Sequence, residues 1–339
     1  MKKLLPFAAL ALLTQFSAAP AVLAQASAAQ AAGKVKASPL APSELVAAAP
    51  AKDWTRIAPA DLLVMDLAPD AKGRPRRVVI QLMPPPFSAG WIGNIRKLAA
   101  AHWWDGMSIN RVQDNYVVQW GDPDADDKAK AKALPAGLST MAESGYTVKT
   151  HGERYSQLPT GKFDSAPAGG TDAEWGNRSN DSYRSWTGII NGWPIASDYS
   201  KQWPVHCYGM VGVGRDLSPN TGSGAELYVV IGHAPRHLDR NIALVGRVIE
   251  GIELLSSLPR GHGGLGFYDL AQGDERVTIT AIRPGPEVKD LPGYEYLSTD
   301  SASFASYADA RANRRDPFFI RPAGGADICN IPVPVRRVK

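Results

Sequence analysis

"SINRVQDNYVVQWGD", residues 108–122, places an arginine inside one strand-like apolar run and a glutamine on the next. Ile109 to Val112 reads as a short strand, Gln113-Asp114-Asn115 as a turn, and Tyr116 to Trp120 as the returning strand. Side chains alternate along a strand, so Val117 and Gln119 share a face. A lone basic residue in a strand is ordinarily a solvated position. The meaning of Arg111 therefore depends on what the rest of the chain builds around it.

Upstream, "DLLVMDLA" (61–68) and "RRVVIQL" (76–82) are short strands joined by the turn residues of "DAKG". Prolines 84–86 break the second strand. Ser88 then stands where a helix cap is expected, ahead of "AGWIGNIRKLAAA", whose Trp91, Ile95 and Leu98 recur at near-helical spacing. Downstream, "HCYGMVGVG" (206–214), "AELYVVIG" (225–232), "IALVGRVIEG" (242–251) and "RVTITAIRP" (276–284) read as further strands. "IELLSSL" (252–258) has helical apolar spacing. Many short strands with few helices predict a mainly β chain, a closed barrel or a sandwich.

Between the two sets of strands lies a long interruption, 123–205. Its opening "DPDADDKAKAKAL" runs from acidic to basic, as a short helix would arrange charge along its dipole. Trp175, Trp186, Trp193 and Trp203 argue that the segment is packed. "GHGGLG" (261–266) matches a dinucleotide fingerprint letter for letter, but no helix follows it, so it reads as a glycine loop. The end of the chain, 287–339, has no clear period. It carries Phe318, Phe319 and Cys329 and is expected to pack on the body as a C-terminal extension.

The chain has 339 residues, 44% of them hydrophobic and 21% charged, with 32 glycines and 27 prolines, which fits a globular, turn-rich protein. A net charge of +4 gives no footprint for nucleic acid. Lys2 and Lys3, the apolar run "LLPFAALALL" (4–13) and Val22-Leu23-Ala24 form a signal-peptide pattern over 1–24. The apolar run is too short to span a bilayer permanently, so cleavage after Ala24 and release to the periplasm or outside the cell are expected, with no stable membrane insertion afterwards. Residues 25–50, rich in Ala, Pro and Gln, read as a flexible leader, with order beginning near Trp54. Cys207 and Cys329 are the only cysteines. They are either two buried thiols or, as export favours, a disulfide.

Taken together, these residues resemble the cyclophilin-type peptidyl-prolyl cis-trans isomerases. "NRVQDNYVVQWGD" matches that family's arginine strand and its Phe-Met-x-Gln-x-Gly-Asp block. Arg111 falls on the catalytic arginine, Tyr116 on the phenylalanine, Val117 on the methionine and Gln119 on the glutamine. "GAELYVV" (224–230) resembles the Gly-Ser-Gln-Phe-Phe block, with Glu226 on the glutamine and Tyr228 on the second phenylalanine. "HLDRNIALVGRVIEG" (237–251) resembles the third block, with Leu238 on the pocket leucine and His237 where tryptophan is common. The segment that usually reads Ala-Asn-Ala is Val211-Gly212-Val213, and Ile242 replaces the pocket histidine. The resemblance implies a closed eight-stranded antiparallel barrel over 51–286 capped by two helices, with 123–205 as an insertion.

It also implies a chemistry. Rotation about an X-Pro amide is opposed by a resonance barrier of about 18–20 kcal/mol. A guanidinium that donates to the prolyl nitrogen, or holds the prolyl carbonyl while the bond turns, lowers that barrier. Arginine suits the task because it is always charged and presents a rigid fork of donors. No nucleophile, metal or cofactor is required. Proline-containing polypeptides are the implied partners, with Tyr116, Val117, Tyr228 and Leu238 forming the apolar slot. The altered Val211-Gly212-Val213 and Ile242 leave a second reading, a peptide-binding module or chaperone that grips without turning.

Overall fold

The computed structural model describes residues 39–149, 181–183, 186–198 and 200–338. The signal-peptide reading falls outside them, as does Trp175. Among the described residues, no helix is long and apolar enough to cross a membrane.

Eight strands close a barrel. They are β2 (Leu62–Leu67), β3 (Arg76–Leu82), β4 (Ser108–Val112), β5 (Val117–Gly121), β10 (Met210–Val213), β11 (Leu227–Val230), β12 (Leu244–Glu250) and β13 (Val277–Pro284). Their order around the barrel is β10-β11-β5-β4-β13-β2-β3-β12, antiparallel throughout. Closure leaves the barrel itself without a free edge strand. Inward-facing Met65, Ile80, Ile109, Val118, Trp120, Val229 and Ile282 fill the interior. The helix Ala89–Ala100 lays Trp91, Ile95 and Leu98 on that core, and the short helix Ile252–Ser256 buries Leu255 in it.

The expected cap at Ser88 does not form. Its backbone is left-handed (φ 51°) and its side chain accepts no bond from the first turn. The "DPDADDKAKAKAL" helix does not form either. Asp122 instead accepts the backbone N–H of Asp124 and Lys132, and Asp127 accepts that of Ala129. Carboxylates so placed compete with helical bonding and hold the segment in turns.

The insertion builds its own antiparallel sheet, β6-β9-β8-β7, from β6 (Val148–Lys149), β7 (Trp186–Ile190), β8 (Trp193–Ser197) and β9 (Lys201–Pro204). Trp193, Ile195 and Trp203 are buried and merge with the barrel core. Asn94, wholly buried on the capping helix, donates to the carbonyls of Ser139 and Ser223 and accepts the N–H of Ser139, which staples the insertion to the barrel.

The leader and the tail depart from the expected boundaries. Residues 42–48, placed in a flexible leader, form the helix Pro42–Ala48, which packs on a tail helix, Ala302–Ala312. Ser301 caps the tail helix by accepting the N–H of Phe304. Strand β1 (Trp54–Ile57), placed in the barrel domain, pairs instead with the tail strand β14 (Tyr294–Leu297), which pairs with β15 (Val335–Arg337). A small core of Trp54, Leu297, Phe304, Tyr307 and Ile331 closes this unit.

The Cys207–Cys329 disulfide forms, joining the segment before β10 to the tail. Arg247, buried, donates to Gln81 Oε1 on β3 and to the carbonyl of Gly192 in the insertion, and its guanidinium lies 4.5 Å from the Trp193 ring. Burial pulls its pKa down to about 10.

The bridge closes a loop with a sequence separation of 122 residues, so it removes much freedom from the unfolded chain. Replacing both cysteines with alanine is expected to cost roughly 2–4 kcal/mol, read as a shift in the urea midpoint, with faster proteolysis in the tail. An unchanged midpoint would show that the bridge contributes nothing to stability.

Candidate active site

The barrel register sets four of the expected residues side by side. Arg111 on β4 pairs with Gln119 on β5, Gln119 with Tyr228 on β11, and Tyr228 with Gly212 on β10. Their neighbours Val112, Val118, Trp120, Leu227, Val229 and Val211 face the interior, so the row lies on the outer face. Val211, expected at the site, is therefore a core residue and can present only backbone.

Arg111 is half-buried and makes no ion pair among the described residues. Its Nε donates to the carbonyl of Leu265 at 2.7 Å, Nη1 to Gln119 Oε1 at 3.3 Å and Nη2 to Gln113 Oε1. The guanidinium lies 5.5 Å from the Tyr116 ring centroid and 5.3 Å from that of Phe267. Every partner is neutral, so the cation is aimed without being cancelled. Burial pulls its pKa down, and an arginine remains charged throughout the accessible range.

Glu226 does not reach Arg111. Gln119 stands between them, donating from Nε2 to Glu226 Oε2 at 2.8 Å while its Oε1 accepts from the arginine. Burial pushes the Glu226 carboxyl above its usual value. The bond from Gln119 opposes that shift, and Asp126 and Asp122 add to it.

Beside the row lies an apolar cluster of Val117, Tyr228 and Val230, flanked by Tyr116 and Ile242. His237 is exposed and stacks on Tyr116 at 6.4 Å. Leu238, half-buried, does not join the cluster, and Ile242 takes that place. The Tyr228 ring covers Gly212. A Cβ there would come within 2.3 Å of its Cζ and Oη, so only glycine admits the ring in this position.

The support beneath Tyr228 was not foreseen from the sequence. Its hydroxyl meets His206 Nε2 at 2.8 Å, and His206 Nδ1 meets Asp239 Oδ1 at 2.8 Å. With a neutral imidazole, Nδ1–H donates to the carboxylate and Nε2 accepts the tyrosine proton. Asp239 Oδ2 accepts Arg236 Nε at 2.7 Å, and Arg236 Nη1 reaches Asp181 of the insertion at 3.0 Å. All four members of this chain, Tyr228, His206, Asp239 and Arg236, are at most 4% exposed. Burial pushes Tyr228 well above its usual pKa. Burial also raises Asp239, but the bond from His206 and the charge of Arg236 outweigh it and hold the carboxyl low. The only prior hint was His206 standing immediately before Cys207 in a strand-like block.

The site thus sets an arginine with neutral partners beside an apolar cluster on the outer face of a closed antiparallel barrel. The chain belongs to the cyclophilin-type peptidyl-prolyl cis-trans isomerase/CLD family, whose sequence model matches residues 86–281, more than half of it. Among solved structures, it is similar to cyclophilin AquaCyp293 from Hirschia baltica, at 20% identity and a TM-score of 0.59, over 84% of this chain and 94% of that one. It also matches a cyclophilin-type peptidyl-prolyl cis-trans isomerase from Cryptosporidium parvum, at 11% identity and a TM-score of 0.36, over 66% of this chain and 96% of that one. No curated protein matches the chain.

Two outcomes follow from the geometry. His206→Leu strands the Tyr228 hydroxyl and is expected to cost about 1–3 kcal/mol, whereas His206→Leu with Tyr228→Phe is expected to cost less than the sum of the two single changes. Urea denaturation of all four proteins gives the coupling, and strict additivity would disconnect the pair. Glu226 binds its proton more tightly folded than unfolded, so its favourable contribution is present at low pH and lost as pH rises through the raised folded pKa. The stability gained by Glu226→Gln is therefore expected to grow from about pH 4 upward, measured as the midpoint difference at acid and neutral pH.

Proposed function

We propose that this chain is an exported prolyl isomerase acting on proline-containing polypeptides in the periplasm or outside the cell. The observation that carries the reading is Arg111, fixed by three neutral oxygens at the rim of the Val117–Tyr228–Ile242 floor. The pyrrolidine ring rests on the floor. The guanidinium holds the prolyl carbonyl or donates to the prolyl nitrogen as the amide leaves planarity. Gln119 fixes the angle of the fork, and Glu226 fixes Gln119.

Magnitudes show what each part supplies. A ten-thousandfold acceleration requires about 5.5 kcal/mol at the transition state. A hydrogen bond to a charged group supplies roughly 1.5–3 kcal/mol. The remainder comes from holding proline against a dry surface while its flank turns. Export is supported by the N-terminal pattern and by the Cys207–Cys329 bridge, a bond that persists in oxidising compartments.

A second reading, peptide binding without turnover, draws on the crowding of the floor. Tyr228 is 4% exposed and Val117 3% exposed, and the tyrosine ring fills the space over Gly212. Proline-isomerisation kinetics on short peptides separate the two. Arg111→Ala is expected to lower kcat/KM by roughly ten- to a hundredfold, with the fold intact by circular dichroism. Equal rates in parent and variant would remove the catalytic role, and peptide binding that survives the change would leave the binding module.

A further inference from the structure

Leu265 occupies a position that disfavours leucine twice. Its backbone is left-handed, with φ 58° and ψ 15°, a conformation that crowds any residue bearing a Cβ. Its side chain is 69% exposed, so its apolar surface finds little cover in its own chain. Glycines stand at 263, 264 and 266, and a further glycine would remove both penalties. Strain and exposure held together at one residue point to a use for its side chain.

Its location supplies the use. The Leu265 carbonyl accepts from Arg111 Nε, and Phe267, 41% exposed, bridges the Arg111 backbone and lies under its guanidinium. Leu270, on the same loop, is 58% exposed. The loop is firmly seated. A Cβ on Gly266 would lie 2.7 Å from Gln113 Cα, so the chain passes against β4 at contact distance. Asp274 accepts the N–H of both His262 and Asp269, and buried Tyr268 bonds the carbonyls of Asn110 and Pro259. These apolar groups therefore stand on a fixed platform.

We infer that Leu265 and Phe267 form an apolar shelf that receives the side chain following proline in a bound polypeptide. The inference rests on the isomerase reading and names its substrate class, segments in which a large apolar residue follows proline. The direction comes from strand order. The floor lies on β11 and β5, Arg111 on β4, and the shelf beyond β4. A peptide whose ring is on the floor and whose prolyl carbonyl is at the guanidinium delivers its next residue to the shelf. Such segments are buried in folded proteins, so the shelf favours chains that have not finished folding.

The test uses the full chain and peptides that differ only after proline, phenylalanine in one and serine in the other. The parent is expected to favour the phenylalanine peptide about five- to tenfold in kcat/KM, as one apolar side chain gaining cover can supply. Leu265→Gly and Leu265→Asn, both suited to the backbone, are expected to bring that ratio toward one while melting no lower than the parent. A ratio of one in the parent, a ratio unchanged in both variants, or a preference set only by the residue before proline would overturn the shelf. Titration with the same peptides separates the two readings. Apolar preference in binding without turnover removes the isomerase and keeps the shelf, turnover without preference does the reverse, and neither binding nor turnover removes both.

Discussion

A guanidinium held by oxygens that carry no net charge is the constraint around which this site is arranged. Had Arg111 met a carboxylate directly, the pair would have neutralised the cation. Glu226 is kept a residue away by Gln119, whose amide turns its oxygen to the arginine and its nitrogen to the acid. Amide polarity thus transmits position without transmitting charge. The register of β4, β5 and β11 makes this possible, because it sets Arg111, Gln119 and Tyr228 at successive paired positions.

The floor is arranged by a different balance. A tyrosine packed on apolar neighbours must find a partner for its hydroxyl, and His206 supplies one from beneath. That histidine requires Asp239, and Asp239 together with Asp181 offsets the charge of Arg236. One Arg236 nitrogen, Nη2, still lacks a partner among the described residues. The apolar slot therefore rests on a buried polar chain, which fixes ring orientation more tightly than packing alone.

Much of this was legible in the sequence, for identifiable reasons. Each barrel strand carries a local alternation or apolar run, so the strands could be read singly, and Arg111, Gln119 and Tyr228 sit in blocks whose order along the chain matches a known family. Two cysteines alone left open buried thiols or a bridge; the expectation of export favoured the Cys207–Cys329 bridge that forms. What could not be read was non-local or masked. Strand β1 is four residues whose partner lies near the other end of the chain. The tail helix hides Phe304, Tyr307 and Ala308, at helical spacing, among serines, alanines and an aspartate. His206 lies 33 residues upstream of Asp239. Arg236 and Asp239 are neighbours three apart, and no local pattern links His206 to them. The acidic run 122–127 has helical charge order, but its aspartates bond nearby backbone instead.

The insertion and the tail look dispensable from the barrel alone, yet their atoms complete its outer charges. Arg236 takes Asp181 from one and lies 3.9 Å from Asp327 of the other, while Arg247 rests against Trp193 of the insertion and, at 5.9 Å, Tyr296 of the tail. A protein trimmed to its eight strands would uncover two cations and the apolar faces beside them. The additions act as a shell over these buried cations, so modularity in the sequence does not carry over into independence in space.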